Sequence, residues 1–159
     1  MPTTAAQASA ATGTTIKTML QISTPSTRMM QLISWGYTID TAQAAAGTVE
    51  LLQTDVAATV TAHIASGLPS LDPNAPPSLM ALGVSATGYT ASAEGTPAAT
   101  RVFDAVKHNG GGTGASPVME YAYQFAPDER PFVAVSKFLR VRATMGTTTG
   151  MLCWVVWDE

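Results

Sequence analysis

The sequence predicts an all-β protein: an antiparallel β-sandwich, jelly-roll-like, with an extended N-terminal arm. Three observations carry this expectation. Short runs in which apolar and polar residues alternate recur from residue 14 to residue 157. Gly, Pro, Asn and Asp punctuate these runs at intervals of about 10–15 residues, as in sandwiches and barrels. A helical period, with apolar residues at i, i+3, i+4 and i+7, is found nowhere outside an ambiguous stretch near residues 55–66. The chain has 159 residues, which suits one domain.

Residues 1–13 are rich in Ala, Thr, Ser and Gln and carry no periodic apolar face. They read as an arm, leaving residues 14–159 as the sandwich domain. Residues 14–23 alternate, with Ile16, Leu20 and Ile22 on one face and Lys17, Met19 and Gln21 on the other; a turn at Thr24-Pro25-Ser26 follows. Residues 28–40 form the longest candidate strand, in which Met29, Ile33, Trp35, Tyr37 and Ile39 share parity. Gly36 inside that run suggests a bulge or bend. Residues 47–54 give a third strand, with Val49 and Leu51 opposite Glu50 and Leu52.

Residues 57–64 read as a strand or one short helix, and residues 68–78, with four prolines, as loop. Strands are then expected at 86–93, 100–106 and 118–125, with a glycine loop at 108–116. Residues 132–135 lead into a strand at 136–145, where Phe138, Arg140 and Arg142 share a face opposite Leu139, Val141 and Ala143. Residues 151–157 are apolar on both faces. Such a strand belongs at the centre of a sheet, under another part of the chain such as 55–82, or under another subunit.

Composition excludes several classes. Hydrophobic residues make up 46% and charged residues only 12%, about half the usual charged share. The net charge of −3 is too small for disorder by charge. A pI near 5.2 gives no basic footprint for nucleic acid. No apolar run approaches the roughly 18 residues of a membrane span. The first sixteen residues lack the charged and apolar regions of a secretory signal. The chain therefore reads as soluble and made in the cytoplasm.

A search for chemistry returns little. His63 and His108 are the two histidines, neither has a ligand at metal-like spacing, and both read as solvated loop or rim residues. No G-x-S-x-G elbow is present. The neighbouring acids Asp128 and Glu129, and Asp158 and Glu159, read as solvated turns and termini. HNGGGTG lacks the setting of a nucleotide fingerprint. Cys153, the single cysteine, sits in an apolar strand and reads as a buried, inert thiol. No catalytic, cofactor-binding or metal residue is expected, and no cofactor.

Interaction is the better lead. Six of the eight basic residues fall between Arg101 and Arg142. Phe138, Arg140 and Arg142 form either a solvated polar face or a partner-facing one, since arginine and aromatic residues are enriched in interfaces. So sparse a charge suits a monomer's surface poorly, so other chains are expected to cover part of it, with Trp154 or Trp157 at or near the contact.

Four segments, GTTIKTMLQISTPST, ATVTAH, SATGYTASAEGTPAATRVFDA and SKFLRVRATMGTTTGMLCWVVWDE, resemble a group of small proteins encoded in bacteriophages and prophages of actinobacteria, over most of the chain from Gly13 onward. The resemblance implies a virion structural protein of β-sandwich type and brings no catalytic residues. It fits a head decoration (cement) protein: a homotrimer on the outside of the major capsid protein lattice, with the arm extended over the shell and neither nucleic acid nor membrane as partner. The alternative is a tail, baseplate or fibre domain binding a host glycan through aromatic residues such as Trp35, Tyr37, Tyr89, Tyr121 and Tyr123, which core packing also explains. A small hydrolase or isomerase on a jelly roll is a third class.

Overall fold

Alternating side chains build eleven strands in the computed structural model, which describes residues 9–63, 68, 70–110 and 119–159. In chain order they are β1 (Ala10–Ala11), β2 (Lys17–Ser23), β3 (Met30–Ile39), β4 (Gly47–Thr54), β5 (Thr59–Ala62), β6 (Gly88–Ala93), β7 (Thr100–His108), β8 (Met119–Gln124), β9 (Phe132–Val133), β10 (Phe138–Thr144) and β11 (Gly150–Asp158). No described residue is helical. The ambiguous stretch at 57–64 is thus strand over Thr59–Ala62; Ile64 lies outside the described residues, as do residues 111–116 of the expected glycine loop.

The strands form two antiparallel sheets packed face to face, an antiparallel β-sandwich. The five-strand sheet runs β1-β11-β3-β8, with β9 also on β3, and the six-strand sheet runs β5-β6-β2-β10-β4-β7. Consecutive strands β2, β3 and β4 alternate between the sheets, as do β7 and β8 and then β10 and β11. That wrapping is the jelly-roll habit. The pair β5–β6 departs from it by extending the six-strand sheet beyond β2.

The inner faces meet in one core. Trp35, Tyr37, Ile39, Met151 and Val155 of one sheet are buried against Leu20, Ile22, Val49, Leu51, Leu139 and Val141 of the other. At about 1.5–3 kcal/mol for each fully buried large apolar side chain, this interior dominates the attraction between the sheets.

Two irregularities shift the parity expected from sequence. Leu20 pairs with Val141 but Thr18 with Arg142, so Met19 is an extra residue in β2 and turns into the core. Ile16, expected inside, precedes the strand and is exposed. In β3, Ser34 pairs with Val156 but Leu32 with Trp157, so Ile33 is the extra residue. The core therefore takes Met30 and Leu32 in place of Met29 and Ile33. A bulge inserts one residue and flips everything beyond it to the other face.

The last residues of the expected arm belong to the sandwich. Ala10 and Ala11 pair with Met151 and Gly150. The Thr12 hydroxyl donates to Thr149 O at 3.1 Å, and Thr149 N–H donates back to the Thr12 hydroxyl at 3.1 Å. Met145 N–H donates to Gly13 O at 3.0 Å. Residues 9–13 of the expected arm are thus attached to the sandwich; residues 1–8 lie outside the described part.

Candidate functional site

The five residues expected at an interface divide between the two sheets. Phe138, Arg140 and Arg142 stand on β10, in the six-strand sheet, while Trp154 and Trp157 stand on β11, in the other. The sandwich core separates the two strands' outer faces, so one flat contact cannot engage all five.

Arg140 is also enclosed by its own chain. Its side chain is 0% exposed beneath a roof made by the residues after β4 and after β6. One terminal nitrogen donates to Glu94 O at 3.0 Å and approaches Glu94 Oε2 at 3.4 Å, and the other donates to Val56 O. Gln21, its neighbour on β2, holds the same roof: its amide donates to Ala58 O and Ala86 O and accepts from Ala58 N–H at 2.8 Å. Glu94 completes the pin by accepting from the Thr18 hydroxyl at 2.6 Å. Arg140 is therefore a structural cation rather than a partner-facing one. Arg142 pairs with Glu50 across β4 at 3.0 Å and stays partly exposed. Phe138 is half-buried at the start of the strand.

A second polar group ties the sheets together where the edge strands β7 and β8 adjoin. Asp104 Oδ2 accepts from Trp35 Nε1–H at 3.0 Å and from the Tyr121 hydroxyl at 2.7 Å. The Tyr37 hydroxyl meets His108 Nε2, and the Tyr37 and Tyr121 rings stack at 5.6 Å. Burial, reinforced by Asp104, pushes the Tyr121 phenol up to about 12. Burial also raises Tyr37, helped by the charges of Tyr121 and Asp104, and holds His108 below the ordinary imidazole range. The carboxylate and both phenols find their partners inside the cluster, which acts as a cross-sheet tie.

Sequence reasoning missed this tie because His108 reads as the start of a glycine loop, whereas it is the buried last residue of β7. The usable signal was parity: Asp104, Val106 and His108 alternate along one strand. His63, also expected to be solvated, is buried, with its ring 5.4 Å from that of Tyr89. Cys153 faces inward on β11, where burial pushes its thiol up to about 12. Among the described residues, no group of three or more His, Cys, Asp or Glu is placed to hold a metal ion.

The outer face of the five-strand sheet has a different character. Register places Leu152, Thr38 and Glu120 in one row, Trp154, Gly36 and Ala122 in the next, and Val156, Ser34 and Gln124 in the third. These nine positions carry one charge, Glu120 on the edge strand. Gly36 makes room on this face for the Trp154 side chain. A Cβ there would fall inside the Trp154 indole and 2.5 Å from Tyr121 O. The indole thus lies across the backbone of β3, as an aromatic ring commonly covers a strand glycine. Trp157 shares the inward parity of Met151, Cys153 and Val155, packs against the core and donates from Nε1 to Glu159 Oε1 at 3.1 Å.

No protein-family model, no curated protein and no solved structure matches this chain.

Proposed function

We propose that this chain is a non-enzymatic structural protein of a bacteriophage virion, a head decoration (cement) protein that binds the outside of the major capsid protein lattice and stabilises the shell as a homotrimer. The resemblance to actinobacterial phage proteins supplies the class. The observation that carries the interaction reading is the outer face of the five-strand sheet, almost uncharged around Trp154. Faces of this kind, depleted in charge and centred on an aromatic residue, make the cores of protein interfaces. We assign the subunit contact to Leu152, Trp154 and Val156. The arm takes a smaller part than its sequence suggests, since Ser9 to Gly13 are built into the sandwich. A tail, baseplate or fibre domain that binds a host glycan is the second reading, favoured by the exposure of Tyr123 and Phe132.

Antibodies raised against the purified chain and applied to virions of the phage that encodes it test the proposal. Gold label distributed over heads is the expected result. Label confined to tails, with glycan binding by the isolated protein, supports the second reading, and absence from the particle overturns both.

A further inference from the structure

Three aromatic rings from β3 and β8 meet in the core beside the edge strand β7. Trp35 and Tyr121 have ring centroids 5.3 Å apart, Tyr37 and Tyr121 5.6 Å, and Trp35 and Tyr37 5.7 Å. The rings form a closed triangle, so an electron moves among them without crossing a stretch of insulating chain. Core packing accounts for the triangle. It does not account for what stands at the corners.

Each corner carries a proton acceptor. The Tyr121 hydroxyl donates to Asp104 Oδ2 at 2.7 Å, Trp35 Nε1–H donates to the same oxygen at 3.0 Å, and the Tyr37 hydroxyl meets His108 Nε2. At such distances a proton crosses the hydrogen bond directly. Burial holds His108 below the ordinary imidazole range, so the ring is neutral at neutral pH. With its one proton on Nδ1, it accepts from Tyr37 at Nε2.

A phenol yields an electron readily only if its proton leaves too, because the phenol radical cation is a strong acid. Burial keeps the Tyr37 and Tyr121 phenols protonated at neutral pH, so a base at the hydroxyl decides which tyrosine is oxidised. The chain has four tyrosines. Among the described residues, no hydrogen bond joins the hydroxyl of Tyr89 or Tyr123 to such a base. Exposure then sets a direction: Tyr121 is half-buried on an edge strand, whereas Tyr37 is 0% exposed.

We propose that this cluster is a site of one-electron oxidation, at which small oxidising radicals take an electron from Tyr121 and the hole comes to rest as a neutral tyrosyl radical on Tyr37. The steps balance. Oxidation of Tyr121 sends one electron to the oxidant and one proton to Asp104. Tyr37 then supplies an electron to Tyr121, Asp104 returns the proton, and the Tyr37 proton passes to His108. The net change is one electron lost from Tyr37 to the oxidant and one proton gained by His108. Enclosure of Tyr37 keeps a second radical from coupling with it, so oxidation is confined to one ring that a reductant restores. The site belongs to the isolated chain and stands whether or not the virion reading does.

Flash oxidation of the full chain by tris(bipyridyl)ruthenium(III), with persulfate as the sacrificial acceptor, tests the proposal by electron paramagnetic resonance. Ring-deuterated tyrosine narrows the signal and so identifies it as tyrosyl. The unmodified chain is compared with Tyr37→Phe, Tyr121→Phe and the double variant Tyr89→Phe with Tyr123→Phe. A lasting tyrosyl signal is expected in the unmodified chain and in the double variant. It should be lost in Tyr37→Phe, and should form more slowly in Tyr121→Phe and in deuterium oxide. A lasting signal in Tyr37→Phe, its loss in the double variant, or unchanged kinetics in Tyr121→Phe overturns the proposal. So does an unmodified chain that gives no tyrosyl signal or chiefly tyrosine-linked dimers. Should Tyr37→Phe disturb the fold, His108→Gln decides. Its amide carbonyl still accepts from Tyr37 but is a far weaker base, so the lasting signal should fall with the phenol in place, and an unchanged signal overturns the proposal.

Discussion

At the scale of single residues, the arginines of β10 show how two like side chains, two positions apart, differ in weight. Arg140 is fully enclosed with Glu94 and two backbone carbonyls. Arg140→Ala leaves those acceptors without their donor, and should lower unfolding stability by about 3–5 kcal/mol in urea titrations. Arg142→Ala removes a partly exposed pair and should cost at most about 1 kcal/mol. Titration of the cross-sheet tie gives a further expectation. His108 is held neutral by burial, whereas the unfolded chain takes up a proton near pH 6.5. Its contribution is therefore complete above about pH 6.5 and lost as pH falls below that value toward the folded pKa. Tyr37 and Tyr121 are held protonated by burial, so their contribution is complete below about pH 10 and declines above it. Melting temperature followed against pH should fall at both ends, and His108→Gln should flatten the acid limb. Parity could have placed Asp104 and His108 on one strand face, but the burial of a charged or titratable group depends on which distant segment covers it, which the sequence does not show. For Arg140 the cover comes from Val56 and Glu94.

At the scale of strands, alternation found β4 with its ends correct and placed most of the others, since period two is the direct imprint of a pleated sheet with one buried face. What alternation could not show is where a bulge breaks phase. Met19 and Ile33 are extra residues only because of the partner strand's register, a non-local property. Gly36 carries a related lesson. Its presence suggested a bulge or bend, but the bulge lies at Ile33 and the glycine instead makes room for an indole on β11, far along the chain but on the neighbouring strand. Gly36→Ala should therefore destabilise by about 1–3 kcal/mol through overpacking. Adding Trp154→Ala should restore only part of the loss, because the Tyr121 carbonyl is backbone and still lies 2.5 Å from the new Cβ. Chemical denaturation of the two single variants and the double variant checks this as a mutant cycle.

At the scale of the whole molecule, fold class was legible, whereas the sheet to which each expected contact residue belongs was not. Sparse charge raised the expectation of covered surface, and the apolar character of both faces of residues 151–157 directed that expectation to β11. Sequence could not assign β10 and β11 to opposite sheets, so it grouped five residues that the sandwich separates. The residues from Asp55 to Ala58, expected as one possible cover for β11, instead roof the six-strand sheet over Arg140. Leu152, Trp154 and Val156 are thereby left half-buried on an outer face that no other described segment covers by pairing. That face is the surface to which we assign the partner contact. The most direct test is the mass of the purified chain in solution by light scattering at micromolar concentration, alongside Leu152→Glu and Val156→Glu, which place charge on the face without touching the Trp154–Gly36 packing. The account predicts a trimer for the unmodified chain and monomers of unchanged melting temperature for both variants. A monomeric unmodified chain, or a trimer that survives both substitutions, would contradict it.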